Sequence, residues 1–272
     1  MSNLLDQITM ESKKLPTMSG AINWDQVAEN YFEYILSPYA PEMIEGYEVG
    51  HSRNLLLNYI HSLSNDVTNL RVLDMGCGPG NLIPYLPSQM NRLYGLDISK
   101  TAIAIAQQKA CEYEIEFSAI YRDVLEYFDD GYFDLIISSN SILPDSREEV
   151  VSIFSKLANL LSHDGKLMAI LPSFDTTLYL QALREKYHQD EIEDVVMNRQ
   201  ILAYADDGFH LQCYHTKASI INETHSSGLK LFSLPEKVYY PWSLCRKFGY
   251  GYYPQADEEI WDWFIVAEKA AL

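Results

Sequence analysis

The glycine run Gly76-Cys77-Gly78-Pro79-Gly80 and two acids downstream, Asp97 and Asp123, are the residues whose types and order can do chemistry together. Glycines allow a tight turn and let a ligand approach the main chain closely. A carboxylate at the end of the following strand accepts hydrogen bonds from both hydroxyls of a ribose. Asp123, one strand further on, suits an exocyclic amine, and the N–H of Val124 suits a ring nitrogen. These are the groups needed to hold an adenosine. The run departs from the GxGxxG of dinucleotide loops, because Asn81 stands where the third glycine belongs. That disfavours an NAD-binding oxidoreductase. There is also no GxxxxGK run followed by Ser or Thr, which disfavours a nucleotide triphosphatase.

The elements that must position these groups follow from the pattern. Short apolar runs at 71–75, 93–97, 115–120, 133–138 and 166–171 alternate with helical stretches at 79–88, 99–113 and 147–161, which predicts βαβ units and a parallel sheet buried on both faces. Ser99 is the expected N-cap of the second helix and Thr216 of a helix over 217–226, with Asp164-Gly165 turning the chain into the fifth strand. Past Pro172 the alternation stops. Residues 175–200 read as helical and acidic, 209–214 as extended, and 229–234 and 261–268 as two further strands. Trp261 and Trp263 alternate with Asp262 and Phe264, and all four are expected in the core. Upstream, 1–20 reads as a polar tail and 21–66 as a helical cover, with helices over 24–36 and 47–63. The expected domain is 67–272, carrying insertions near 173–212 and 239–258.

The segment Val72-Leu73-Asp74-Met75-Gly76-Cys77-Gly78-Pro79-Gly80 resembles the first motif of class I S-adenosylmethionine-dependent methyltransferases of the small-molecule type. Asp97 resembles their ribose-binding acid, Arg122-Asp123-Val124 their adenine-binding segment, 133–138 their fourth strand, and 163–167 the turn into their fifth. The resemblance covers about residues 70–172. It implies an α/β, Rossmann-like fold: seven mostly parallel strands in order 3-2-1-4-5-7-6, the seventh antiparallel, flanked by helices. It also implies S-adenosylmethionine as cofactor, held by Asp74, Gly76, Cys77, Gly78, Gly80, Asp97, Ile98, Asp123, Val124 and Asn140, with Tyr31 and Arg53 contributed by the N-terminal cover. Many small-molecule members carry a His pair after the fourth strand. Here the run is Ser139-Asn140-Ser141-Ile142-Leu143-Pro144-Asp145, so a His base at that place is absent.

Methyl transfer from a sulfonium is an in-line displacement, in which alignment alone can supply roughly 7–11 kcal/mol. Candidates for orienting or deprotonating an acceptor are Asp145, His210, His215 and Tyr240. Each also has a plain structural reading, such as Asp145 capping the helix at 147 or His215 sitting at a helix start. Aromatics crowd residues 239–253 (Tyr239, Tyr240, Trp242, Phe248, Tyr250, Tyr252, Tyr253), and aromatic faces attract cations. They serve equally well as packing between two strands.

Composition bounds the partners. Among 272 residues, 20 Lys and Arg stand against 38 Asp and Glu, a formal charge of −18 that repels a phosphate backbone and favours cationic partners. No nucleic-acid or membrane partner is expected: no run of Lys or Arg and no apolar run of membrane length occurs. The 4 cysteines are scattered, which fits a reducing cytoplasm and not a structural zinc site, and no metal-ligand spacing occurs. The expectation is methyl transfer to a small molecule, by preference to the nitrogen of an amine or guanidine. O-methylation of a natural-product hydroxyl or carboxylate is the alternative, and a catalytically silent cofactor-binding partner protein is the alternative of another class.

Overall fold

In a computed structural model, the described residues are 55–56, 58–62, 67–87, 90, 92–183, 199–205, 208–239 and 261–270. The proposed tail, most of the cover, the acidic stretch 190–194 and the aromatic run beyond Tyr239 lie outside them.

The strands are β1 (Val72–Met75), β2 (Leu93–Asp97), β3 (Phe117–Tyr121), β4 (Phe133–Ser139), β5 (Leu161–Leu171), β6 (Gln200–Ala205), β7 (Gly208–Cys213), β8 (Leu229–Leu231), β9 (Glu236–Tyr239) and β10 (Trp261–Lys269). The helices are α1 (Asn58–Ser62), α2 (Lys100–Glu112), α3 (Arg147–Leu160), α4 (Phe174–Leu183) and α5 (Lys217–Ser226). The main sheet runs β3-β2-β1-β4-β5-β10-β8, with β9 also paired to β10. Strands β1 to β5 are parallel, and β10 is antiparallel to β5 and to both short strands.

The apolar runs are strands because they are buried on both faces. Val72, Leu135, Ile137 and Met168 join one core with Ala106 and Ala110 of α2 and Ile60 of α1. Leu73, Ile136 and Leu167 join the other with Val150, Phe154 and Leu157 of α3 and Ile220 of α5. Each such fully buried aliphatic contributes roughly 1.5–3 kcal/mol. The caps are those expected: Ser99 Oγ accepts the Ala102 N–H at 3.0 Å, and Thr216 and Ser219 form a reciprocal capping box.

Four local expectations need correction. Of the helix expected at 79–88, residues 79–87 form instead a turn and one 3-10 turn at Ile83–Tyr85, because the left-handed Gly80 (φ +71°) and Pro84 interrupt an α-helical ladder. Of the helix expected over 175–200, Phe174–Leu183 is helical and 184–198 lie outside the described residues, but Gln200 at its far end belongs to the β6–β7 hairpin. The turn at Asp164-Gly165 is a bulge inside β5: Leu161 pairs with Phe133, pairing resumes at Lys166 with Leu135, and a Cβ on Gly165 would stand 2.7 Å from the Phe133 carbonyl. The sixth strand expected at 229–234 is two pieces, β8 and β9, divided by a stretch ending in Pro235, which has no N–H for the ladder.

Candidate active site

The glycine loop leaves β1 at Met75 and turns at once. The Gly76 and Cys77 amides both reach the Leu96 carbonyl, at 2.7 and 3.1 Å, which folds the loop over the end of β2. Gly76 has φ +69°, and a Cβ there would lie 2.1 Å from Cβ of Ser141, so the loop touches the turn beyond β4 directly. Gly78 has φ +50° and open space where a side chain would stand. Cys77 is buried beneath the loop. Burial, reinforced by the charges of Asp74 and Asp97, pushes its thiol well up, so it is a neutral packing group.

Asp97 ends β2 beside this loop. One carboxylate oxygen accepts the Gly78 N–H at 2.9 Å and the other accepts the Ser99 N–H at 2.8 Å. A carboxylate has about four lone-pair sites and accepts from several donors at once. Ile98 follows it, half-buried. The next strand is stitched to the same point by the Arg122 N–H, which donates to the Asp97 carbonyl at 3.0 Å. Asp123 is exposed and accepts the Leu125 N–H at 2.8 Å, capping a 3-10 turn, while Val124 is buried. Asp74 is buried within β1. The loop, Asp97 and Asp123 therefore stand in a row at the carboxyl ends of β1, β2 and β3, where open α/β sheets bind ligands.

A second polar group lies on the other side of the loop. Asn140 follows β4 in the left-handed region (φ +49°), its N–H held by the Ile170 carbonyl at 2.9 Å. Its Nδ2 donates to Asp262 at 3.3 Å, and the other oxygen of Asp262 accepts the Ser173 N–H at 2.8 Å. Thr176 of α4 exchanges hydrogen bonds with the Trp261 main chain, 3.0 Å to the carbonyl and 3.2 Å from the N–H. Ser141 Oγ donates to the Met75 carbonyl at 2.5 Å, tying this group to the end of β1. Among the described residues, three side-chain atoms here are buried without a partner: Ser139 Oγ, Asn140 Oδ1 and Trp261 Nε1. The expectation that Trp261 and Trp263 pack in the core holds, since both join the α3 side of the sheet. Asp262 is also buried, but as a polar bridge to a loop 122 residues away. Sequence reasoning missed that role. The available signal was an acid inside an otherwise apolar strand.

The described residues expected on the acceptor side differ in their surroundings. Asp145 is exposed and does not cap α3; Ser146 does, its Oγ accepting the Glu149 N–H at 3.3 Å. Burial first, then the charges of Asp145 and Asp123, push the Glu149 carboxyl up. His215 is fully buried against Phe154, with Nδ1 3.2 Å from Glu223, whose other oxygen takes the Arg199 guanidinium at 2.5 Å. His210 sits in β7, paired with Ala203. Tyr31, Arg53 and Tyr240 lie outside the described residues.

Residues 72–165 match the family model described as a methyltransferase domain. That segment is a methyltransferase domain. Its fold is of the Rossmann-like kind. A methyltransferase of Geobacillus sp. (strain WCH70) is 33% identical over 102 residues, which are 36% of this chain and 40% of that protein. The chain thus spans about two fifths of that relative's length. Among solved structures, magnesium protoporphyrin IX methyltransferase from Synechocystis PCC 6803 with bound SAH has the same fold: TM-score 0.61 at 16% identity, over 92% of this chain and 98% of that one. So does 1,6-didemethyltoxoflavin-N1-methyltransferase from Burkholderia thailandensis, with TM-score 0.60 at 12% identity, over 95% and 94%. The methyltransferase domain fits the cofactor on its own geometry. Gly78 leaves a gap that a side chain would fill, and the Asp97 carboxylate stands beside it, bonded to the Gly78 N–H. Among the described residues no helix is long and apolar enough to cross a membrane.

Proposed function

We propose that this chain transfers a methyl group from S-adenosylmethionine to a small-molecule acceptor, and that the acceptor atom is the nitrogen of an amine or guanidine. The observation that carries the reading is the contact between Gly76 and Ser141, which sets the cofactor loop against the polar group of Asn140 and Asp262. Asp97, with Asp123 and Val124, would hold the nucleoside, and the glycine loop the amino-acid end. When bound, S-adenosylmethionine supplies a methyl on a positively charged sulfur, which an amine lone pair takes in one displacement, leaving S-adenosylhomocysteine and, after loss of one proton to water, the methylated amine. Asn140 and Asp262 orient the nitrogen, and the β4–β5–β10 rim excludes water from it. The net charge of −18 favours a cationic small molecule over an anionic one.

The test begins with calorimetric titration against S-adenosylhomocysteine, with NAD as control. Micromolar binding of the first alone is expected. Amines, phenols and carboxylic acids are then offered with S-adenosylmethionine and read by the mass gain of one methyl. Methylation of phenols or acids without any amine overturns the nitrogen assignment. Binding without turnover of any class points to a silent cofactor-binding protein.

A further inference from the structure

Between β8 and β9 the chain departs from the edge of the main sheet. The Phe232 N–H still donates to the Val266 carbonyl at 2.8 Å, and pairing to β10 resumes at Glu236, opposite Phe264. Two large apolar residues of this stretch are left in solvent: Phe232 is 61% exposed and Leu234 is 63% exposed. A single exposed apolar residue needs no explanation, but these two adjoin a groove. Leu55, Tyr59, Phe232, Phe264 and Val266 line it, around a volume of about 390 Å³.

The charges about the groove are ordered too. Glu268 stands opposite Lys166 on one side and Lys230 on the other, and it pairs with Lys230 at 3.2 Å. Lys237 turns to the other face, over the Trp261 ring. The Lys166 ammonium has the Tyr59 and Phe232 rings about it, at 5.6 and 5.1 Å. Among the described residues, neither Lys166 nor Glu236 has an ion-pair partner. Lys166 is opposite Glu268 and Glu236 opposite Phe264, so the two charges lie four residues apart along β10, roughly 13 Å, at the two ends of the strip Phe264–Val266. Lys166, Lys230, Glu236 and Glu268 sum to zero, on a chain whose formal charge is −18.

We propose that this face binds a second copy of the chain, in a two-fold dimer in which Leu234 of each copy enters the groove of the other. A two-fold axis crossing β10 beside Val266 reverses one copy along β10, so that Lys166 of each copy meets Glu236 of the other. A two-fold interface needs one patch that complements itself, and this patch carries an exposed apolar side chain, a groove and both signs of unpaired charge. Two acidic chains repel wherever like charges face each other, and a neutral face is where they can approach.

Sedimentation velocity over about 1–100 µM reads the association, and a dimer with a Kd of about 10 µM or tighter is expected. Leu234→Asp, at an exposed position, is expected to weaken it at least about tenfold. Glu236→Lys and Lys166→Glu each set like charges against each other twice, and each variant alone is expected to be monomeric. Mixed in equal amounts, the two variants regain both ion pairs and are expected to form a heterodimer. Circular dichroism checks that each variant is folded. A wild type that stays monomeric at about 100 µM overturns the proposal, because the groove then serves another segment or ligand. A wild-type dimer unmoved by Leu234→Asp overturns it, since the contact then lies elsewhere. Charge variants that stay apart when mixed overturn it too, because the two charges then do not meet across the axis. Should Lys166→Glu fail to fold, Leu234→Asp and Glu236→Lys decide: two monomers support the proposal, and a dimer of wild-type strength in either overturns it. Lys166, Leu234 and Glu236 belong neither to the glycine loop nor to the Asn140 group, so loss of the dimer is read apart from cofactor binding.

Discussion

Asp97 accepts the N–H of Gly78 at 2.9 Å, so the acid expected to hold a ribose is already bonded to the loop expected to hold the rest of the cofactor. The bond joins β2 to the end of β1 and shapes the loop before any ligand arrives. Its partner bond to Ser99 also sets the start of α2. Asp97→Ala therefore removes ligand contacts and loop order together. Hydrogen bonds to a charged group are worth about 1.5–3 kcal/mol each, which predicts a loss of about a hundredfold in S-adenosylhomocysteine affinity. Titration calorimetry on wild type and variant checks this. An affinity changed by less than about threefold would show that the acid serves the loop alone.

Arg199 and Glu223 form a buried ion pair at 2.5 Å, and His215 shares the carboxylate. Arg199 Nη1 also donates to the Tyr214 carbonyl at 3.2 Å, so the cluster fastens the base of the β6–β7 hairpin to α5. Burial acts to push the Glu223 carboxyl up, but His215 and Arg199 outweigh it and hold it below its usual range. Glu223→Gln leaves the guanidinium buried without its counter-charge. The expected loss is about 3–5 kcal/mol of folding stability, read from urea unfolding curves. A loss under about 1 kcal/mol would mean that the hairpin relaxes and lets water reach Arg199.

At the opposite end of the sheet, Asp134 receives the Arg71 guanidinium as a fork, Nε at 2.9 Å and Nη2 at 2.7 Å, with the Arg71 N–H at 3.0 Å and Ser162 Oγ at 3.0 Å. The hydrogen bonds from Arg71 lead in holding the Asp134 carboxyl below its usual 3.8. A lowered carboxyl stabilises the fold in its ionised form. That contribution is complete above the ordinary aspartate range and is lost as the pH falls through the lowered folded value. Asp134→Asn is expected to cost about 1 kcal/mol at pH 7, since the pair is partly solvated, and to show a shallower fall in stability below pH 4 than the wild type. Denaturation at pH 7 and at pH 3 separates the two proteins. Equal acid slopes would exclude Asp134 as a source of the acid sensitivity.

Sequence alone determined the sheet that carries the site. The runs at 72–75, 93–97 and 133–139 are apolar on both faces, end in turn residues and alternate with capped helices, all of which are local signals. The glycine loop and Asp97 were legible for the same reason, since each terminates a strand whose limits its own residues mark. Alternation along 261–264 placed Asp262 on the face of Phe264. It could not say which end of the sheet that residue occupies. The antiparallel register does: Trp263 opposite Leu171 puts Asp262 one step beyond the carboxyl end of β5, against Ser173 and Asn140. The two-piece sixth strand and the bulge at Gly165 were hidden likewise, because they depend on which carbonyls stand across the ladder. Arg199, Glu223 and His215 come together only when the hairpin base closes on α5. Hydrophobic period and turn chemistry are written within a few residues of one another. A hydrogen bond between side chains 122 positions apart exists only once the sheet between them has formed.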